Sequence, residues 1–429
     1  MLVWLGGLIV ILTFAAIIKR YETRMVLFLS GALMALLSGK LPAVFTAFSK
    51  AMVNEGLVPV ICTVMGFAFV MKYTKCDAHL VHLLATPLTK ARSILIPGTV
   101  IVTFAINIAL PSAAGCAAAV GAILIPTLMS AGVHPAIAAS AVLAGTWGSA
   151  FNPGNAHNPF IAKLAGITDP MVVIAGHTMA SLAGAVVVAA ALTAVAIMRK
   201  EDRGYEGAVL AQNEATKFEV SIIKAIVPVI PLLLLVAGSF GKLFPKVAAF
   251  KAIHAFTVPE AMIAGVFLGF LVSFKEINTA DVSKQFFSGM GEAYASVIGI
   301  IIGAAVFNEG MKLIGLTGAL IEFMKHSESI AKIAATFGPF IVAVLSGSGD
   351  AATLAFNGAI TPHAKQFGFE ILPMGSTAFL TGALGRSMSP VAGAAIVCAA
   401  LASVNPMEIT KRNALGMVLA AIVVMFILL

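Results

Sequence analysis

Charge is scarce in this chain. Charged residues make up 11% of the 429 positions, while 60% are hydrophobic. A soluble domain of this length would run out of polar exterior before it hid that much apolar surface. No run of five basic residues occurs, so the formal charge of +8 does not amount to a nucleic-acid patch. In a membrane chain Lys and Arg gather in cytoplasmic loops for topological reasons. Cysteine is also rare. Cys62, Cys76, Cys116 and Cys398 are scattered, mostly in apolar runs, with neither metal-ligand spacing nor a disulfide framework. HExxH and GxxxxGKS/T motifs are missing, as is a paired nucleophile and base. This excludes an intramembrane enzyme of those kinds and an ATP-driven pump within this chain. The first segment, 2–18, lacks a basic n-region and a small-residue cleavage site, and reads as a retained span.

Long apolar runs are what the sequence does have, and its mean hydropathy is +1.02. Runs near about 18 residues with almost no charge are candidate bilayer spans. One polar stretch, 199–219, carries both charge signs near the middle and reads as a cytoplasmic linker. The parts on either side resemble each other. A shift of about 237 positions lays Gly66 on Gly303, Lys75 on Lys312, Gly145 on Gly382, Gly148 on Gly385 and Pro153 on Pro390. With one residue of slippage Pro126 falls on Pro362, Gly132 on Gly368 and Pro170 on Pro406. Matched Gly and Pro in near-constant register point to an internal duplication.

Each half parses alike. The first has spans near 2–18, 25–42 and 56–75, and an amphipathic stretch at 78–91. A broken apolar pair follows at 93–110 and 116–131, then a span interrupted at 149–158 and a long helix at 169–198. The second has spans near 220–240, 259–275 and 291–311, and an amphipathic stretch at 314–326. Its broken pair lies at 329–345 and 351–367, its interrupted span at 370–402 and its last helix at 406–429. The broken pairs join through Pro-Ser-Ala-Ala-Gly and Ser-Gly-Ser-Gly-Asp, too short to leave a membrane and return. They read as re-entrant helical hairpins, whose exposed backbone groups must face protein or a watery cavity. If so, each half crosses five times, and an odd number inverts the second half. The expected fold is an all-α polytopic membrane protein of two inverted repeats, each with five crossings and one hairpin. Basic residues including Lys19, Arg24, Lys72, Arg199, Lys275 and Arg412 collect on one face, which makes that face cytoplasmic and both termini periplasmic or extracellular.

The chemistry would sit at the breaks. Free N–H groups at a helix N-terminus attract carboxylates, and free C=O groups at a C-terminus coordinate cations. The first interrupted span, 146–159, reads TWGSAFNPGNAHNP. Asn152, Asn155 and Asn158 can donate to a carboxylate without carrying charge. His157 is a candidate proton carrier or a satisfied polar group. In the second, 382–390, Arg386 lies far from other charges. Its planar fork matches a carboxylate, or else it snorkels or pairs structurally. Ser387 and Ser389 flank it. The second tip offers Ser346, Ser348, Gly349 and Asp350, with Thr353 further along; the first tip offers Ser112. Asp350 would bind a cation, carry a proton or pair with Arg386. Ser112, Gly148, Ser346 and Gly385 are further candidates at a coupling-ion site. No cofactor is expected beyond Na+ or H+ as coupling ion, and no nucleic acid.

These residues carry a resemblance. Segments 345–350 (LSGSGD), 385–393 (GRSMSPVAG), 290–315 and the first tip at 111–126 resemble the anaerobic C4-dicarboxylate carrier family of bacteria, third type (the Dcu C family), within the ion transporter superfamily. Weaker similarity spans nearly the whole chain. The resemblance implies an elevator-type homodimer in the inner membrane. Scaffold helices would lie in 1–91 and 220–327, and transport elements in 92–198 and 328–429. It implies succinate, fumarate, malate or aspartate as cargo, in exchange or with protons or sodium, bound at the tips and interrupted spans. The sodium-coupled dicarboxylate members of that superfamily carry Ser-Asn-Thr at both tips, which this chain does not. Another small organic anion or an amino acid on the same fold is the alternative cargo.

Overall fold

The structure, a computed structural model, describes residues 2–19, 21–55, 57–87, 94–205, 218–243, 256–319 and 328–429. Most of the expected linker (206–217), the ends of both amphipathic stretches (88–91 and 320–326) and residues such as Arg92, Lys246 and Lys325 lie outside these. No strand occurs among the described residues.

The first half runs α1 (Leu2–Ile18), α2 (Thr23–Leu37), α3 (Leu41–Met52), α4 (Val58–Tyr73) and α5 (Cys76–Ala85). It continues with α6 (Leu95–Ala109), α7 (Ala113–Ser130), α8 (Pro135–Ala144), α9 (His157–Leu164) and α10 (Pro170–Met198). The second half has α11 (Ile222–Ile226), α12 (Ile230–Leu243), α13 (Val258–Ser273), α14 (Thr279–Ala293) and α15 (Gly299–Leu313). It ends with α16 (Glu328–Ser346), α17 (Gly349–Ala359), α18 (Ile371–Ser387), α19 (Gly393–Ala402) and α20 (Pro406–Leu428). A turn of π-helix, Tyr294–Ile298, joins α14 to α15 as one rod, Thr279–Leu313.

Four helices among the described residues are long and apolar enough to cross a membrane: α7, α10, the Thr279–Leu313 rod and α20. α4 and α5 qualify together as a fifth, bent by 77° at their junction. Shorter apolar helices such as α1, α2, α6 and α13 surround them. Two elements differ from the sequence reading. α3 is a separate helix and α14 extends the rod of α15 where only flanking apolar spans were expected, because their polar residues interrupt the apolar runs. The second interruption is also shorter than expected. α18 continues through Gly382, Gly385 and Arg386 and stops at Met388. Gly382 and Gly385 serve close packing there. A Cβ at Gly382 would meet Thr353 Oγ1 at 2.2 Å, and one at Gly385 would meet the Phe340 carbonyl at 2.2 Å.

Local chemistry repeats between the halves. Ser112 caps α7 by accepting from Gly115 N–H at 3.1 Å, and Ser348 caps α17 by accepting from Ala351 N–H at 3.1 Å. Such caps satisfy N–H groups that the helix itself leaves free. Asp169 and Asn405 cap α10 and α20, each with Pro next in the chain. Packing between the halves is reciprocal: α4 lies on α14 as α15 lies on α3, and α7 lies on α19 as α17 lies on α9. α10 and α20 pack on each other. The largest core joins α6–α10 to α18–α20 around Phe104, Trp147, Leu384 and Met417, all buried. Separate cores join α1 and α2 to α15 and α17, and α4 to α13 and α14.

Candidate functional site

A cavity of about 370 Å³ opens where both tips, the first break and α18 meet α4 and the π turn. Each wall can be built from its residues. α6 ends at Ala109, and Pro111 cannot continue it. Buried Asn107 ties the resulting tip down. It donates to the Leu110 carbonyl at 2.8 Å and accepts from Ser149 N–H at 2.9 Å, which locks the first tip to the first break.

The first break spends most of its polar groups on itself. Asn152 donates to the Ile108 carbonyl at 2.8 Å and accepts from Gly154 N–H at 2.9 Å. Asn158 donates to the carbonyls of Ala150 and Asn152, both at 2.9 Å. Its Oδ1 lies 3.3 Å from His177 Nε2, and His177 Nδ1 lies 3.0 Å from Ser181 Oγ. Broken backbone inside a membrane protein needs such internal partners. Asn155 differs. It donates to Ser149 Oγ at 3.2 Å, accepts from His157 N–H at 3.2 Å, and lines the cavity.

The second tip turns at Gly347, with φ +79°, a left-handed angle that favours glycine. Ser348 N–H donates to Ser346 Oγ at 3.2 Å. Asp350, in the first turn of α17, has Oδ1 2.9 Å from His157 Nε2. The His157 ring is buried and stacks on Phe379, with centroids 4.4 Å apart. Arg386 reaches the cavity from α18. It donates through Nη2 to the Thr146 carbonyl at 2.7 Å and through Nη1 to Thr146 Oγ1 at 3.3 Å. A guanidinium has five donors, so some remain uncommitted among the described residues. The facing wall is Ile61, Val64 and Met65 of α4, and Ser296, Val297 and Ile300 at and beside the π turn.

Eight of the expected residues therefore line one cavity: Ser112, Asn155, His157, Ser348, Gly349, Asp350, Thr353 and Arg386. The other candidates lie outside its lining. Asn152 and Asn158 turn inward on backbone. Ser387 Oγ donates to the Ala383 carbonyl at 3.1 Å, and Ser389 is buried. Gly148 packs where a Cβ would meet the Phe104 carbonyl at 1.9 Å, as Gly385 does against Phe340. Ser346 sits on the other side of its tip, in a cleft with Tyr21, Glu22 and Thr23. Asp350 bonds His157, and forms no ion pair with Arg386. Sequence reasoning missed Asn107, Thr146, Ser149, Phe379 and the π turn. Charge scarcity cannot flag neutral residues, and a π turn carries no composition signal, although such turns often sit at functional sites.

The arrangement favours anions. The N-termini of α7, α9 and α17 all contribute to the wall, through Ser112–Ala113, Ala156–His157 and Ser348–Gly349. Helix N-termini present free N–H groups at a positive dipole end. Among the described residues no group of three His, Cys, Asp or Glu could hold a metal ion.

Comparison with known proteins agrees with a transporter. An uncharacterised transporter of Haemophilus influenzae is 38% identical over 276 residues, covering 63% of this chain and 97% of that protein. The anaerobic C4-dicarboxylate transporter DcuC of Escherichia coli K12 is 25% identical over 449 residues, covering 97% of this chain and 94% of that protein. Among solved structures, Neisseria gonorrhoeae MtrF, described with a class of antimetabolite efflux pumps, matches with TM-score 0.66 at 12% identity. That match covers 91% of this chain and 85% of MtrF. The Alcanivorax borkumensis YdaH transporter, described as having an unusual topology, matches with TM-score 0.60 at 14% identity over 97% of both chains. These two likenesses concern the fold. The description DcuC, C4-dicarboxylate anaerobic carrier, matches residues 5–429, and the chain belongs to this family of membrane transporters rather than to any enzyme family.

Proposed function

We propose that the chain is a secondary carrier of C4-dicarboxylates such as succinate, fumarate, malate and aspartate. It works by alternating access, as an exchanger or with a coupling cation, in the bacterial inner membrane. The single observation that carries this reading is the convergence of both tips, Asn155 and Arg386 on one cavity. Its volume of about 370 Å³ is toward the small end of the roughly 300–1,000 Å³ of small-molecule sites, as a four-carbon solute requires. Two anchors suit the two ends of such a solute. Arg386, aimed by Thr146, takes one carboxylate with its free donors. The first turn of α7 behind Ser112 takes the other.

The reciprocal packing between the halves supports an inverted duplication. The cavity lies between the large core of α6–α10 with α18–α20 and the walls of α4 and α15, which supports an elevator with the former moving against the latter. In this reading the scaffold forms a homodimer, the termini are periplasmic or extracellular, and Asp350 belongs to the coupling step.

Uptake into liposomes tests the proposal. Purified protein should concentrate at least one labelled C4-dicarboxylate, and Arg386→Ala should abolish uptake while the protein still inserts. Undiminished transport by that variant removes Arg386 from the site. Failure to move any of the four acids removes the cargo class.

A further inference from the structure

We infer that Asp350 selects its cargo: it reads a hydrogen-bond donor beside one carboxylate, an ammonium above all, so that aspartate is preferred to succinate. The inference rests on the dicarboxylate reading and narrows it.

Three titratable side chains line the cavity: His157, Asp350 and Arg386. Asp350 Oδ1 is engaged by His157 Nε2 at 2.9 Å. His157 is 2% exposed, and its Nδ1 is buried with no hydrogen-bond partner among the described residues. A proton on Nδ1 would be an unbonded buried donor, which costs more than an idle lone pair on a neutral ring. The ring therefore donates to the carboxylate through Nε2 and occupies one of its oxygens. Arg386 spends two donors on Thr146 and forms no ion pair with Asp350.

Asp350 is thus left with one free oxygen. Oδ2 has no hydrogen-bond partner among the described residues, and the side chain is 69% exposed in the wall of the cavity. A cargo carboxylate set against that oxygen is repelled, and a methylene leaves it idle. An ammonium or hydroxyl satisfies it. Arg386 and Asp350 together form a plus–minus pair, complementary to the minus–plus pair of an α-amino acid. The cavity's two fixed charges cancel, so aspartate adds one net negative charge where succinate adds two. A site built to bond a donor discriminates strongly against analogues that lack it. A hydrogen bond to a charged group is consistent with a preference of about tenfold or more.

The test is binding of L-aspartate, L-malate and succinate to purified full-length protein at pH 7.5, by calorimetry in two buffers of different ionisation enthalpy. Aspartate should bind about tenfold tighter than succinate, with malate between them. Asp350→Asn should reduce the spread to within about threefold, chiefly by weakening aspartate. Succinate binding as tightly as aspartate in the wild type overturns the inference. So does succinate binding with uptake of one proton, which makes Asp350 a proton site instead. An Asp350→Asn variant that weakens all three alike also overturns it. The wild-type ranking decides the matter even where that variant fails to insert. Binding of none of the three removes the dicarboxylate reading itself, and the selection falls with it.

Discussion

Gly148 and Gly385 occupy matching places in the two halves, and each packs against the carbonyl of a matching phenylalanine, Phe104 or Phe340. Their neighbours in sequence do not match. Ser149 follows the first and Arg386 the second. The tips repeat the contrast. Ser112 and Ser348 cap their helices with hydrogen bonds of the same length. Two residues on, the first tip has Ala114 and the second has Asp350. The backbone framework is alike at these places in both halves, while the fixed charges of the cavity come from the second alone. The first half supplies neutral amides and an imidazole. A framework repeated in this way can carry different side chains at single positions without disturbing the packing that holds it together.

The largest effect should come from breaking the framework. Gly148→Ala and Gly385→Ala each push a Cβ to within about 2 Å of a backbone carbonyl that cannot rotate away. Overpacking of this severity costs about 3 kcal/mol or more. Both variants should lose most of their monodisperse yield and melt well below the wild type in detergent. If one is tolerated, the two crossings are not equivalent.

Arg386→Lys tests the charge half of the contrast. Lysine keeps the charge and loses the fork that bonds Thr146 and a carboxylate together. Initial uptake rates should fall roughly tenfold to a hundredfold, with little change in melting temperature. At the matching place, Ser149→Ala should lower uptake only a few-fold. Equal losses at the two positions would mean that the halves share the cargo evenly.

Much of this was legible in the sequence, for identifiable reasons. Arg386 and Asp350 stand out because charge is rare around them, and Pro111 and Gly347 mark the tips because neither suits a helix interior. The three asparagines of the first break are indistinguishable as letters. Only packing separates Asn155, which faces the cavity, from Asn152 and Asn158, which bond backbone. α3 and α14 were hidden because Lys50, Asp281, Lys284 and Glu292 interrupt their apolar patterns. Thr146, in the turn after α8, and Phe379, inside an apolar helix, carry no signal of their own until the fold sets Arg386 and His157 against them.

A third asymmetry lies outside the cavity. Arg412, 4% exposed near the start of α20, donates through Nε to Glu201 at 2.7 Å and through Nη1 to Glu408 at 2.9 Å. The first half has Gly176 at the matching place. Burial raises the Glu201 carboxyl, but the hydrogen bonds and charge of Arg412 hold it below the ordinary 4.5. Its contribution to stability is therefore complete above pH 4.5 and lost as pH falls through the depressed native value. Glu201→Gln should cost about 1–3 kcal/mol at neutral pH. Between pH 7 and pH 4 the wild type should lose more melting temperature than the variant. Parallel pH curves would show that the bridge contributes no linkage.

The smallest effect should come from the caps, where the contrast is finest. Ser112→Ala and Ser348→Ala each remove one side-chain acceptor from a helix N-terminus, at about 1 kcal/mol. Because the two bonds have the same length and the same register, the melting temperatures should fall by similar amounts. Cargo affinity should not respond alike. Behind Ser112 no fixed charge competes, so the first turn of α7 is free to hold a cargo carboxylate, and a frayed turn there loosens that grip. Behind Ser348 the first turn of α17 already carries Asp350. That carboxylate faces the same dipole and leaves less of it for cargo. Ser112→Ala should therefore raise Kd severalfold more than Ser348→Ala, at matched losses of stability. Equal shifts in Kd would mean that the dipole of α17 is as open to cargo as that of α7, despite the acid in its first turn.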